Sequence, residues 1–146
     1  MQTNIIDIVK ATRLKFNPVL YHLNGGINVL IEELETTDTE GIFAIMLAPT
    51  NSIINVNDRG VRERYTLNVS FCMLMDGVDF DAEKNEAYIA KCKARAFEWL
   101  SWLIKTYPDL NVSCGNGGRD YLKYDAILTG YSLVVNIEEV HYIAVC

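Results

Sequence analysis

The longest amphipathic pattern in the chain runs from Asp81 to Tyr107 and predicts an α-helix. Its apolar positions recur every three or four residues, as one stripe of a helix requires. These positions are Ile89, Cys92, Ala96, Phe97, Leu100, Leu103, Ile104 and Tyr107. Asp81 is suited to the N-cap, and Pro108 ends the pattern. We therefore expect a long helix that buries this stripe.

A shorter amphipathic helix is predicted near the start of the chain, from Asn4 to Phe16. Its inward positions repeat at helical spacing: Ile5, Ile8, Val9, Thr12 and Phe16. The sequence Asn17-Pro18 ends this helix, because a proline disfavours helical backbone conformation at the residue before it. Val19 to Leu23 continues as a short segment, either extended or helical.

Other apolar runs are short enough to be β-strands. From Tyr65 to Met75, apolar and polar residues alternate, as in a strand with one buried face. Asn28 to Leu34 and Ile42 to Leu47 are rich in branched apolar residues, and we expect them to pair antiparallel. Another long strand runs on from Ile127 through Gly130, where we expect a bulge or bend.

Three polar stretches are predicted to be connections between these elements. Asn111 to Cys114, which precedes one of them, is a candidate short strand. Pro49 to Gly60 is rich in turn-forming residues, and we expect a long loop there. Gly115 to Asp120 lacks the lysine and hydroxyl of a phosphate-binding loop, so a turn is favoured over an anion site. Glu35 to Gly41 lacks the ligand order of an EF-hand, so a solvated connection is favoured.

The order of these elements predicts one α+β domain over residues 1–146. Consecutive strand runs favour a mostly antiparallel β-sheet, since hairpins need only short links. The long amphipathic helix and the N-terminal helix would pack on that sheet. A chain of 146 residues, half of them hydrophobic, has enough apolar material for one core.

Charge, hydropathy and cysteine spacing narrow the function classes. With 13 basic and 19 acidic residues, the net charge of −6 disfavours specific binding to nucleic acid. No basic leader and no run near the ~20 apolar residues of a membrane span are present, so we expect a cytoplasmic protein without membrane contact. The four cysteines are far apart and form no C-x-x-C pair, which disfavours a metal site.

No catalytic or cofactor signature stands out, so we expect neither an enzyme nor a bound cofactor. An alternative is a small-ligand-binding or enzymatic α+β domain of unknown substrate. It would require polar side chains such as His22, Cys114, Asp120 and His141 to converge in one pocket. A second alternative is an adaptor that binds a protein partner through a strand edge or the C-terminal tail.

Three groups of residues are candidates for contacts with other proteins. Arg59, Arg62 and Arg64 cluster before the clearest strand and would suit an acidic partner subunit. Trp99 and Trp102 are large aromatics at the edge of the predicted helical stripe, and such residues are enriched in subunit interfaces. The tail after Tyr142 is unusually apolar, and its Ile143 and Val145 would dock on the sheet or on a neighbour.

The layout of the chain resembles a family of phage proteins. An N-terminal helix and a strand pair lead into RERYTLNVSFCMLM, and a long helix precedes the closing LTGYSLVVNIEE. This order is similar to the small tail-terminator or tail-completion proteins of long-tailed phages and prophages, which join head to tail. The resemblance implies a non-catalytic subunit that forms a homo-oligomeric ring at the head-proximal end of the tail, as a virion component. Its partners would be copies of itself and other tail or head-tail connector proteins.

Overall fold

The fold is described by a computed structural model over residues 5–16, 19–23, 41–49, 52–75, 82–123 and 127–142. The elements are α1 (Ile5–Phe16), β1 (Val19–Leu23), β2 (Phe43–Ala48), β3 (Ser52–Asn57), β4 (Gly60–Met75), α2 (Ala82–Thr106), β5 (Asn111–Lys123) and β6 (Ile127–Tyr142). The helices pack on one face of a six-stranded sheet, which confirms the predicted α+β class.

The sheet is mostly antiparallel, also as predicted. Its strand order is β1-β2-β4-β6-β5, and β3 pairs with β4 beside this path. Only β1 and β2 run parallel among the described pairs. The ladder between β4 and β6 extends from Gly60 opposite Tyr142 to Met75 opposite Ile127. These two 16-residue strands are the longest in the described sheet and lie side by side in it.

The core lies between the helices and the alternating inward residues of the central strands. Leu67, Val69 and Phe71 of β4 face the same side as Leu133 and Val135 of β6, and all five are buried. On the other face, small uncharged polar groups pair across the same strands. Ser70 and Ser132 hydroxyls lie 2.6 Å apart, and the Thr66 hydroxyl donates to Asn136 Oδ1 over 3.0 Å.

The long helix is turned slightly from the predicted orientation. Its buried residues are Ile89, Cys92, Ala96, Trp99 and Leu103. Phe97 and Ile104, which we expected in the core, are each 49% exposed. Trp99 fills the central position instead, because its ring lies near Phe71 and its indole nitrogen reaches a partner on α1.

Two predicted loops are strands. Within Pro49 to Gly60, Ser52–Asn57 forms β3 and only Asp58 and Arg59 form the turn before β4. Gly115 to Asp120 lies inside β5, paired with β6 across a register shift between Cys114 and Asn116. Both predictions were wrong because pairing with a long neighbouring strand outweighs the low strand propensity of Asn and Gly.

Other predictions have mixed outcomes. The segment Val19 to Leu23 is extended, and the strand predicted at Ile42 to Leu47 is β2. At Gly130 the ladder with β4 continues in register, so there is no bulge there, while a bend stays a prediction. The predicted strand Asn28 to Leu34, the polar connection up to residue 40 and the Asp81 cap lie outside the described residues.

Candidate interaction surfaces

A three-stranded extension projects beyond the hydrophobic core. Tyr65 of β4 and its partner Ile137 of β6 are buried. Beyond them, residues 61–64 and 138–139 are exposed or half-buried, and Gly60 is buried. Residues 60–65 of β4 pair with β3 on one side and with residues 137–142 of β6 on the other. We call these three segments the arm. From Tyr65 to its tip the arm measures about 17 Å, at ~3.3 Å per strand residue.

The register divides the arm into two faces. Its inner face, on the helix side of the sheet, carries Ile54, Val56, Val61, Glu63 and Glu139. Its outer face carries Ile53, Asn55, Arg62, Arg64 and Glu138. These assignments follow because side chains alternate along a strand and paired residues share a face. Thus both faces carry aliphatic groups. The charged groups named on the inner face are carboxylates, whereas the outer face has two guanidinium groups and one carboxylate.

The edge of the arm is formed by β3, whose six side chains are all exposed. Ile53 is 53% exposed, Ile54 59% and Val56 70%. The strand carries no charged residue, and among the described strands it pairs with β4 alone. Charged side chains are a usual means of preventing edge strands from pairing with another chain. An uncharged aliphatic edge is therefore suited to contact another protein.

The three arginines predicted for an interface all lie on the arm. Arg59 is at the turn, where its backbone N–H donates to Asn57 Oδ1 over 2.9 Å. Arg62 and Arg64 are exposed on the outer face, and Arg62 Nη1 lies 3.6 Å from Glu138 Oε1. The structure brings these residues together on a projecting element. Their contact with an acidic partner stays a prediction.

A second surface lies along α2, one residue out of step with the buried stripe. It consists of Ala90, Lys93, Phe97, Leu100 and Ile104, which are again three and four residues apart. Phe97 and Ile104 are half-exposed, while Leu100 also packs against the core. A step of one residue rotates a position by about 100° around the helix. This stripe therefore points about 100° away from the buried stripe, along the side of the helix and next to the sheet.

Tyr131 of β6 completes this second surface. The Phe97 and Tyr131 rings meet edge to face with centroids 5.9 Å apart. The Lys93 ammonium lies 5.7 Å from the Phe97 centroid and 5.5 Å from the Tyr131 centroid. Such distances permit cation–π attraction. We call Lys93, Phe97, Leu100, Ile104 and Tyr131 the α2 patch; it is apolar with one positive charge.

Full burial contradicts the predicted interface role of Trp99, whereas that of Trp102 stays a prediction. Trp99 is fully buried, so its assignment to an interface was wrong. Trp102 is partly buried, with its ring 5.4 Å from Phe16 and 6.3 Å from Tyr107 between centroids. Both indoles serve the packing of α1 and α2. The remaining two candidates, Ile143 and Val145, lie outside the described residues.

The polar residues considered for a catalytic pocket are far apart along the backbone. His22 is in β1 and Cys114 in β5, at opposite edges of the sheet and four strands apart, or about 19 Å at ~4.8 Å per strand. Asp120 pairs with Gly130, whereas His141 is near the other end of the same β6 strand. The side chains of His22, Asp120 and His141 lie outside the described part of the structure. Their backbone positions place them in no common site.

Within the described ranges, no group of three His, Cys, Asp or Glu residues could hold a metal ion. None of the helices described there is long and apolar enough to cross a membrane. Comparison with known proteins adds no family assignment. No protein-family model matches the chain, and no curated protein matches it.

Proposed function

We propose that this protein is a non-catalytic structural subunit that assembles with copies of itself. The phage tail-terminator family, which the chain resembles in layout, gives the specific form of the proposal: a ring at the head-proximal end of a tail. In that role the protein would also contact tail or head-tail connector proteins.

The observation that carries this proposal is the exposed aliphatic edge of the arm. Ile54 and Val56 are next to each other on the inner face of β3 and are 59% and 70% exposed. Contiguous apolar surface on a projecting element is typical of protein contact sites. Among the described strands β3 pairs with β4 alone, so its other edge offers backbone N–H and C=O groups to a further strand.

The α2 patch supports assembly with copies of the same chain. Seven large apolar side chains are exposed among the described residues, and five of them lie on the arm edge or in the α2 patch. The other two, Ile6 and Leu14, lie on α1. Two separate contact surfaces allow each subunit to bind two neighbours, as a ring requires.

Sedimentation velocity of the full chain over a wide concentration range tests self-assembly. We expect a defined oligomer of the 16.5 kDa chain, and negative-stain electron microscopy should show closed particles with an open centre. A chain that remains monomeric at high concentration would contradict the proposal and favour an adaptor that binds a different protein. Capsid, portal and tail-tube genes beside the coding sequence would support the phage form, and metabolic genes would contradict it.

A further inference from the structure

The arm and the α2 patch have complementary chemistry. We propose that the inner face of the arm of one copy docks on the α2 patch of a second copy, in a head-to-tail contact. This inference rests on the proposed self-assembly and names the surfaces that produce it. Its occupant is another molecule of this chain, because both halves of the contact are present on each subunit.

The apolar parts of the two surfaces match in character and exposure. Ile54 and Val56 are on the inner face, 59% and 70% exposed, and Phe97 and Ile104 in the patch are each 49% exposed. All four would lose contact with water on docking, which is favourable for apolar groups. The arm reaches about 17 Å beyond the core of its own subunit, far enough to lie across a neighbour.

The charges select the inner face of the arm over its outer face. Glu63 and Glu139 are directly opposite each other on the inner face, and like charges at such positions repel. Glu139 also accepts a hydrogen bond from the Tyr65 hydroxyl over 2.9 Å. The α2 patch presents the Lys93 ammonium, which would relieve that repulsion. The outer face carries Arg62 and Arg64 against the single carboxylate of Glu138, so its net positive charge would repel Lys93.

Because the arm and the patch are different surfaces, the contact is heterologous. A heterologous contact leaves the pair of subunits with one free arm and one free patch, so it continues from copy to copy. It closes into a ring if the rotation between neighbours allows and otherwise extends into a filament. A symmetric arm-to-arm or helix-to-helix contact would end at two copies.

The decisive experiment uses two double variants and their mixture. The arm variant carries Ile54→Asp and Val56→Asp, and the patch variant carries Phe97→Asp and Ile104→Asp. Each variant alone should assemble at least tenfold more weakly than wild type in sedimentation velocity. Mixed in equal amounts, they should form a complex of only two chains, since one intact arm meets one intact patch. That complex also demonstrates that both variants fold.

The matched control is Ile53→Asp, which places the same substitution on the outer face of the same strand. We expect Ile53→Asp to assemble within about twofold of wild type. A charge exchange provides a milder test that preserves the apolar groups. Lys93→Glu should weaken assembly, and the double variant Glu63→Lys with Lys93→Glu should restore it.

Several results would overturn the inference. A patch variant that assembles like wild type would indicate arm-to-arm contact, and an arm variant that does so would indicate contact between α2 helices. Folded variants that form no mixed complex, or equal effects of Ile53→Asp and Ile54→Asp, would also exclude it. In all these cases wild type still assembles and the proposed function stands. A monomeric wild type would instead overturn both.

Discussion

The indole Nε1–H of Trp99 donates a hydrogen bond to the hydroxyl oxygen of Thr12 over 3.1 Å, and both residues are fully buried. The same hydroxyl donates to the backbone carbonyl of Ile8 over 2.7 Å. A buried indole requires such an acceptor, because an unpaired N–H in the core is costly. This bond ties α1 to α2 and explains how a tryptophan can occupy the centre of the core.

Thr12→Val should therefore destabilise the protein more than its change in shape suggests. Valine fills nearly the same volume but accepts no hydrogen bond, so the indole N–H is left unsatisfied at a cost of about 1–3 kcal/mol. The control Thr12→Ser keeps the hydroxyl and loses one methyl group, which costs about 0.8 kcal/mol. Urea denaturation measures both. A Thr12→Val variant as stable as Thr12→Ser would contradict this account.

At Gly130 of β6, the neighbouring strand β4 leaves no room for a side chain. A Cβ atom at this position would lie 2.2 Å from the Phe71 carbonyl oxygen and 2.9 Å from Cys72 Cα. Both are backbone atoms in the central ladder, so they cannot move aside without breaking strand pairing. We expect Gly130→Ala to lose about 3 kcal/mol or more in free energy of unfolding. Gly118→Ala, where no atom lies within 4 Å, is the control and should stay close to wild type in urea denaturation.

The sequence predicts the fold class because its strongest signals are local. Alternation from Tyr65 to Met75 and helical spacing in α1 each depend on residues a few positions apart. The buried residues of α1, namely Ile8, Val9, Thr12 and Phe16, are among those that the spacing selects. Such periodicity reports which side of an element is apolar, and it needs no knowledge of the partner.

The orientation of α2 could not be predicted in the same way. Two apolar stripes run side by side on this helix, and the predicted stripe mixed residues of both. Cys92 and Leu103 belong to the buried stripe, and Phe97 and Ile104 belong to the α2 patch. The choice depends on Thr12, which is 87 residues from its partner Trp99. A separate search for a second heptad-like register would have found the patch.

The arm was missed for a related reason. Asn55 and Asn57 lower the strand propensity of β3, so its sequence is typical of a loop when read alone. Its strand conformation comes from pairing with β4, which in turn pairs with β6. The sequence signal that could have indicated a strand is the presence of three aliphatic residues, Ile53, Ile54 and Val56, close to a turn. In β3 aliphatic residues occupy both faces, so its sequence does not show the apolar and polar alternation that identified the buried face of β4.

Alkaline pH should reveal the environment of Cys92. Burial raises the pKa of its thiol from 9.0 to about 11. The folded state therefore binds the Cys92 thiol proton more tightly than the unfolded state does. The resulting contribution to the free energy of unfolding is fully present below about pH 9 and is lost as the pH rises through about 11. The free energy of unfolding from urea denaturation should therefore fall across this window, and less steeply in Cys92→Ala. An equal slope in wild type and Cys92→Ala would contradict this account.

Gly117 connects the packing of β5 to the α2 patch. A methyl group there would lie 2.5 Å from the Tyr131 hydroxyl oxygen, so the ring would have to turn away. Because the obstructing atom is at the end of a side chain, the loss of stability should be only about 0.5–1.5 kcal/mol. The displaced ring would leave its edge-to-face contact with Phe97 and its position near Lys93.

Gly117→Ala should therefore weaken self-assembly several-fold while the subunit stays folded, if the α2 patch is the docking surface. Sedimentation velocity at several concentrations measures the first effect, and urea denaturation measures the second. Gly118→Ala alters the neighbouring position of the same strand, where a methyl group meets nothing within 4 Å, and should change neither. Equal assembly of the Gly117→Ala and Gly118→Ala variants would show that Tyr131 does not contribute to the contact, since only the former disturbs its ring.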